Sequence, residues 1–170
     1  MNSKAPAQAA RSDPLTAEQR RLCMSRIRAT DTKPEMIVRR GLHALGLRYR
    51  LHDRQLPGTP DLVFAGHGAL LFVHGCFWHG HDCPLFRLPA SRTDFWEAKI
   101  ARNRTRDAEA LAALDADGWR SLVVWECAMR GRARLPLDEL LGRCFHWITR
   151  TLPSAEINGD WHAASAARQG

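Results

Sequence analysis

No apolar run in this chain is long enough to matter to a membrane. The longest, Ala69 to Val73 among them, have five residues, against the roughly 20 that a spanning helix needs. Residues 1 to 15 carry no apolar stretch of signal-peptide length, so the cytoplasm is the expected compartment. Lysine is nearly missing, since 22 of the 25 basic residues are Arg. Cysteine is sparse and odd in number, at positions 23, 76, 83, 127 and 144. Without an export signal that count argues against a disulfide framework and for metal ligands or free thiols.

What is present suits one globular domain. With 45% hydrophobic and 25% charged residues over 170 positions, the chain can bury a core and is not a disordered polyion. Its net charge of +7 is local: residues 1–60 hold 12 basic and 5 acidic residues, and residues 61–170 hold 13 of each. A bias toward Arg explains the choice of base but not this asymmetry. A one-sided positive field suits a polyanion such as nucleic acid, or an anionic membrane surface. The expected organisation is a basic tail over 1–15, a single domain over 16–150 and a weakly ordered tail over 151–170.

Capping-box patterns, Thr16 with Gln19 and Thr32 with Glu35, predict one helix running toward Ile27 and a second ending at Gly46. Leu47–Leu51 alternates as a half-exposed strand, and Pro57-Gly-Thr-Pro60 turns into a short strand over Asp61–Phe64. Gly66-His-Gly68 joins that strand to Ala69–Val73 as a hairpin. Residues 74–92 read as an irregular loop, Thr93–Asp117 as a long helix stopped by Gly118, Trp119–Trp125 as a strand and Leu137–Ile148 as an amphipathic helix. The order implies an α/β fold with a central mixed sheet and helices on its faces.

The densest chemistry is His74-Gly-Cys76-Phe-Trp-His79-Gly-His81-Asp-Cys83. Structural zinc takes four N/S ligands, and Cys76, His81, Cys83 and Cys127 supply three thiolates and one imidazole. The bland alternative is that these cysteines are small buried hydrophobes; clustering with histidine favours metal. His74 and His79 are then left as proton carriers near neutral pH. The hairpin brings Asp61 near Val73 and His74, where a carboxylate, main-chain carbonyls and waters suit Mg2+ and phosphodiester hydrolysis. Phe77 and Trp78, an apolar pair within a polar loop, can serve as a wedge between base pairs. Phe95 is expected in the core.

Asp61 after Pro-Gly-Thr-Pro, the string from His74 to Cys83, Arg92-Thr-Asp-Phe-Trp96 and Val124-Trp-Glu-Cys127 together resemble the very short patch repair (Vsr) endonucleases from about Cys23 to Gly131. The resemblance implies a restriction-endonuclease-like core with a structural zinc site. It implies a Mg2+-dependent activity that nicks DNA 5′ of the thymine in a T·G mismatch left by deamination of 5-methylcytosine. By position it makes Asp61 the Mg2+ ligand with the Val73 main chain, His79 the general base, and His74 and Glu35 supporting groups. Cys76, His81, Cys83 and Cys127 become the zinc ligands. Phe77, Trp78 and Trp96 match intercalating aromatics, Met24 a residue stacking from the opposite groove, and Lys99 with Asn103 residues near the mismatched pair. The implied partner is double-stranded mismatched DNA, bound by a monomer in a bacterial, nucleoid-associated setting, with mismatch-repair proteins as candidate associates. Val73 stands where a family member has Thr, which spares the main-chain oxygen.

Two other classes compete. Nucleases of this fold usually pair the first acid with an acid-x-Lys on the next strand, which Leu71-Phe-Val73 does not offer. That absence favours a zinc-stabilised, non-catalytic binder of distorted DNA, although unligated imidazoles beside a carboxylate speak against it. A zinc hydrolase of small molecules predicts water in place of one zinc ligand and no need for a basic first third.

Overall fold

The computed structural model describes residues 30–161 together with Thr16, Glu18, Gln19 and Leu22. The stretch 1–15, Cys23, Met24 and the rest of the helix expected toward Ile27 lie outside the described residues. The capping box at Thr16 forms: Thr16 N donates to Gln19 Oε1 at 2.9 Å and Gln19 N to Thr16 Oγ1 at 3.1 Å.

From residue 33 the elements are α1 (Lys33–Ala44), β1 (Arg50–Leu51), β2 (Leu62–Phe64), β3 (Ala69–His74), α2 (Thr93–Ala116), β4 (Arg120–Trp125), α3 (Leu137–Thr149) and β5 (Ala155–Ile157). They build one five-stranded sheet in the order β1-β2-β3-β4-β5. The first three strands are antiparallel, with Leu62 opposite Leu71 in the β2–β3 hairpin. β4 runs parallel to β3, His74 beside Trp125, and β5 parallel to β4. A parallel neighbour requires a crossover, and α2 supplies it.

Local chemistry sets the element ends. Thr32 Oγ1 accepts the Glu35 N–H at 3.4 Å with Pro34 in the first turn of α1, positions at which proline has no N–H to lose. Gly68, at φ 57°, lets the hairpin reverse. The two sheet faces divide the apolar side chains by strand alternation. Leu62, Phe64, Leu71, Leu122 and Val124 pack under α1 and α3 with Val38, Leu42, Leu140 and Ile148. Val63, Leu70, Phe72, Val123 and Trp125 pack on the other face with Leu114 of α2 and the thiols of Cys76, Cys83 and Cys127. The sequence expectation of an α/β fold with a mixed sheet holds.

Three local expectations differ. β1 is two exposed residues long, and Arg48 ties the segment before it back to α1 through the carbonyl of His43. Residues after 151, read as a weakly ordered tail, contribute β5. That strand has one buried residue, Ile157, too little pattern to announce itself. It is fixed instead by Arg120 donating to Leu152 O at 2.8 Å, Trp147 Nε1 to Pro153 O at 2.7 Å and Ser121 N to Ser154 Oγ at 3.0 Å. Phe95, expected in the core, is 42% exposed, and Trp96 at 7% takes the buried position; α2 can turn only one of two adjacent residues toward the sheet.

Candidate active site and metal centre

The polar residues gather where β3 ends. Asp61 precedes β2 at the open end of the hairpin, where its Oδ2 accepts the Val73 N–H of β3 at 2.7 Å. Burial pushes the Asp61 carboxyl up to about 6; the Val73 N–H opposes this, the neighbouring Glu35 adds to it, and His52 and His79 oppose it. Glu35 comes from the first turn of α1 and is 1% exposed. Its Oε1 lies 3.2 Å from His52 Nε2 and 3.6 Å from Arg39 Nη1, yet neither approach has hydrogen-bond geometry and the oxygen is orphaned. His52 Nδ1 stands 3.8 Å from Asp61 Oδ1. A buried orphaned carboxylate oxygen beside a second, largely buried carboxylate is the donor chemistry of a hard cation, so these residues fit a divalent ion.

On the opposite face of the sheet, the rings of His74 and His79 stack with centroids 3.8 Å apart and planes within 5°. Burial, with the charge of His79 acting in the same direction, pushes His74 down to about 3. His79 Nδ1 meets Asp107 Oδ2 of α2 at 2.5 Å. Burial works against ionisation of Asp107, but the His79 hydrogen bond and the charges of His79, His74 and Arg106 hold it below the usual range. With Nδ1 engaged by Asp107, Nε2 of His79 is the nitrogen that can accept a proton. A cavity of about 330 Å³ opens beside the pair, lined by Gly58, Thr59, Phe72 and Ala110 among others.

The loop after β3 folds around a second cluster. One donor atom each from Cys76, His81, Cys83 and Cys127 lies within 4.8 Å of every other. His81 Nδ1 is 3.6 Å from Cys76 Sγ and 3.5 Å from Cys127 Sγ. A tetrahedral zinc with its usual bond lengths spaces S and N roughly 3.6 Å apart, so the cluster has the dimensions of such a site with His81 ligating through Nδ1. The hydrogen bond between two of the thiols drives Cys76 up and draws Cys127 down to about 6. Trp125 joins the two centres: its ring stacks on His81 at 4.1 Å and meets His74 edge-on at 5.4 Å.

Beside the loop lies an aromatic group. Phe77 contacts Trp78 at 5.1 Å and Trp96 at 5.3 Å between ring centroids, and Trp78 and Trp96 are 6.1 Å apart. Phe77 and Trp78 are half-buried, while Trp96 forms the buried base beneath them. Lys99 Nζ sits over both indoles, 5.2 Å from Trp78 and 5.7 Å from Trp96. Asn103 Nδ2 donates to Trp78 O at 2.8 Å. The structure sets Asp61, Val73, Glu35, His74 and His79 around the end of β3, Cys76, His81, Cys83 and Cys127 in one cluster, and Phe77, Trp78, Trp96, Lys99 and Asn103 in the aromatic group; Met24 lies outside the described residues.

This arrangement can be set beside known proteins. The family model described as "DNA mismatch endonuclease Vsr" matches residues 12–85. The chain is 51% identical over 132 residues to "Type II nicking enzyme V.XorIIP" of Xanthomonas oryzae pv. oryzae, covering 74% of this chain and 97% of that protein. The chain belongs to the Vsr family. It is also 44% identical over 135 residues to "DNA mismatch endonuclease Vsr" of Escherichia coli, covering 79% and 86%. To "Type II nicking enzyme V.HpaIIP" of Haemophilus parainfluenzae it is 42% identical over 115 residues, covering 66% and 82%. The mixed sheet is thus the restriction-endonuclease-like core of the Vsr family, and no described helix is long and apolar enough to cross a membrane.

Two residues of this Vsr-family site escaped sequence reasoning. Asp107 follows Lys99 and Asn103 at successive four-residue steps, so one helical face carries all three; that spacing was the available signal. His52 had none. It stands in the left-handed region at φ 48°, and only the folded hairpin carries its ring between Glu35 and Asp61.

Proposed function

We propose that the protein is a strand-specific endonuclease that nicks DNA on the 5′ side of the thymine in T·G mismatches arising from 5-methylcytosine deamination, with Mg2+ at the active site and a structural zinc bracing the loop. The observation that carries this reading is the setting of Asp61: its carboxylate accepts the Val73 N–H, lies 3.8 Å from His52 and feels the charges of both Glu35 and His79. Relatives named as nicking enzymes and as a DNA mismatch endonuclease support it.

Asp61 and the main-chain oxygen of Val73 would hold Mg2+, with Glu35 supporting; when bound, the ion supplies charge neutralisation at the scissile phosphate. His79 acts as general base, its Nε2 taking the proton of the attacking water while Asp107 fixes the tautomer through Nδ1 and stabilises the imidazolium. His74, held neutral, gives His79 an uncharged stacking partner that positions the ring without competing for the proton. Cys76, His81, Cys83 and Cys127 hold zinc and so fix the loop that carries His79, Phe77 and Trp78. Phe77 and Trp78, seated on Trp96, enter the stack at the mismatch, where opening costs least. Lys99 and Asn103 face the mismatched pair, and Met24 is assigned by position to the opposite groove.

Incubating a T·G duplex with Mg2+ tests this reading. The expected product is one nicked strand, with the paired duplex intact. Asp61→Ala abolishes nicking while mismatch binding stays within a few-fold. A zinc-stabilised binder that does not cut gives no nick in either protein, and this outcome rejects the proposal.

A further inference from the structure

We infer that the C-terminal strap, β5 together with residues 158–161, is the outer wall of the metal centre and sets how firmly zinc is retained there. The inference rests on the reading that Cys76, His81, Cys83 and Cys127 hold zinc, and names two residues, Gly159 and Glu156, as positioning residues for its ligands.

Gly159 N donates to Cys127 Sγ at 3.5 Å in a buried contact. An N–H···S bond of this kind orients a thiolate and draws charge off it, which is the usual work of groups just outside a metal's ligands. The position tolerates no side chain: a Cβ at Gly159 would meet Cys127 O at 2.7 Å and Ala133 O at 2.8 Å. The strap is pinned on both sides of that amide, by the parallel pairing of β5 with β4 and by Asp160 N donating to Ala133 O at 2.7 Å. Trp161 then packs onto the apolar cluster that contains Cys76, Cys83 and Cys127.

A second contact reaches a different ligand. Glu156 Oε2 accepts the Trp125 indole N–H at 2.8 Å, and that indole lies flat on the His81 ring at 4.1 Å, planes within 13°. Glu156 therefore fixes the plane against which the imidazole ligand rests. One short segment thus steadies a thiolate directly and an imidazole through Trp125. Both contacts come from a stretch outside residues 12–85, which the family model matches.

The test is zinc transfer from the purified full-length protein to a chromophoric chelator, with the cobalt-substituted protein as a spectroscopic companion. Gly159→Ala is expected to speed zinc loss about 10- to 100-fold, the range found for outer-shell partners, and to shift the thiolate-to-cobalt charge-transfer band. Glu156→Ala is expected to speed it several-fold, with Glu156→Gln, which keeps an acceptor for the indole, restoring the original rate. Gly142→Ala, where an added Cβ meets nothing within 4 Å, is the matched control and leaves both readouts unchanged. Should Gly159→Ala fail to fold, Glu156→Ala and its Gln counterpart carry the test alone. Zinc loss and cobalt spectra identical to the parent in the Gly159 and Glu156 variants overturn the inference. A parent protein that binds no zinc instead rejects the reading beneath it.

Discussion

The rings of His74 and His79 lie parallel, centroids 3.8 Å apart, so close that two imidazolium charges cannot share the space. The buried ring gives way: burial, with the charge of His79 acting in the same direction, pushes His74 down to about 3, while Asp107 holds the His79 ring through Nδ1. Removing the carboxylate that orients it takes away both tautomer control and charge stabilisation. Asp107→Ala is therefore expected to lower the single-turnover nicking rate by about 10²- to 10⁴-fold, while affinity for the mismatched duplex stays within a few-fold. Rapid-quench nicking assays and a gel-shift titration measure the two; an unchanged rate removes Asp107 from the mechanism.

Asp61 stores a conflict between stability and function. Its folded pKa, about 6, lies above the ordinary carboxylate value of 3.8, so protonation favours the folded state. The sign follows: this contribution is fully present below pH 3.8 and is lost as pH rises through about 6. A shift of about two units corresponds to about 3 kcal/mol. Asp61→Asn, which keeps an acceptor for the Val73 N–H, is expected to abolish nicking yet to be more stable than the parent by up to about 3 kcal/mol at pH 8 without Mg2+. The gain should vanish near pH 3.8. Urea unfolding across that interval tests it, and a variant less stable than the parent at pH 8 contradicts the account. At subsaturating Mg2+, nicking by the parent should fall as pH drops below about 6, as the ionised carboxylate is lost.

The parts of this fold that were legible in sequence are those fixed by short-range chemistry. Thr32 with Pro34 starts α1, Gly68 turns the hairpin, and Gly118 ends α2, each through backbone rules that operate within a few residues. The hairpin in turn set Asp61 near Val73. The clustering of Cys76 and Cys83 with histidines pointed to a metal loop that Cys127, just after an apolar strand, could close. What was hidden depends on contacts between distant segments. β5 is held by side chains of β4 and α3 rather than by its own pattern, His52 is aimed by its own left-handed backbone just after β1, and the choice between Phe95 and Trp96 is settled only by the rotation of α2 against the sheet.

The Cys/His cluster and the stacked His74–His79 pair share Trp125, so the loss of one should be felt at the other. Cys83 closes the loop at the cluster's edge, and without it three donors remain. Cys83→Ala is expected to lose stoichiometric zinc, to lower the melting temperature, and to open the 75–86 segment to proteolysis before the rest of the chain. Apparent binding energies of about 10 to 16 kcal/mol for structural zinc make this a larger effect than any single packing change nearby. Metal analysis and limited proteolysis followed by mass spectrometry test it. A zinc-free variant with the parent's cleavage pattern shows that the loop holds itself.

Trp78 is presented rather than merely exposed. Its carbonyl is fastened to α2 by Asn103 at 2.8 Å, its ring is approached by Lys99, and Phe77 and the buried Trp96 stand beside it. A side chain held this way has already lost the freedom it would otherwise lose on entering DNA, so its stacking contributes nearly in full. Base–aromatic stacking is worth about 1 to 3 kcal/mol, or about 5- to 150-fold. Trp78→Ala should accordingly weaken mismatch binding by that factor while binding to the paired duplex, governed by phosphate contacts, changes little. Asn103→Ala should move the preference the same way by less, because it loosens the loop but leaves the ring. Competition titrations with T·G and T·A duplexes at one salt concentration resolve the two effects. An equal loss on both duplexes assigns Trp78 to general affinity and dismisses the wedge.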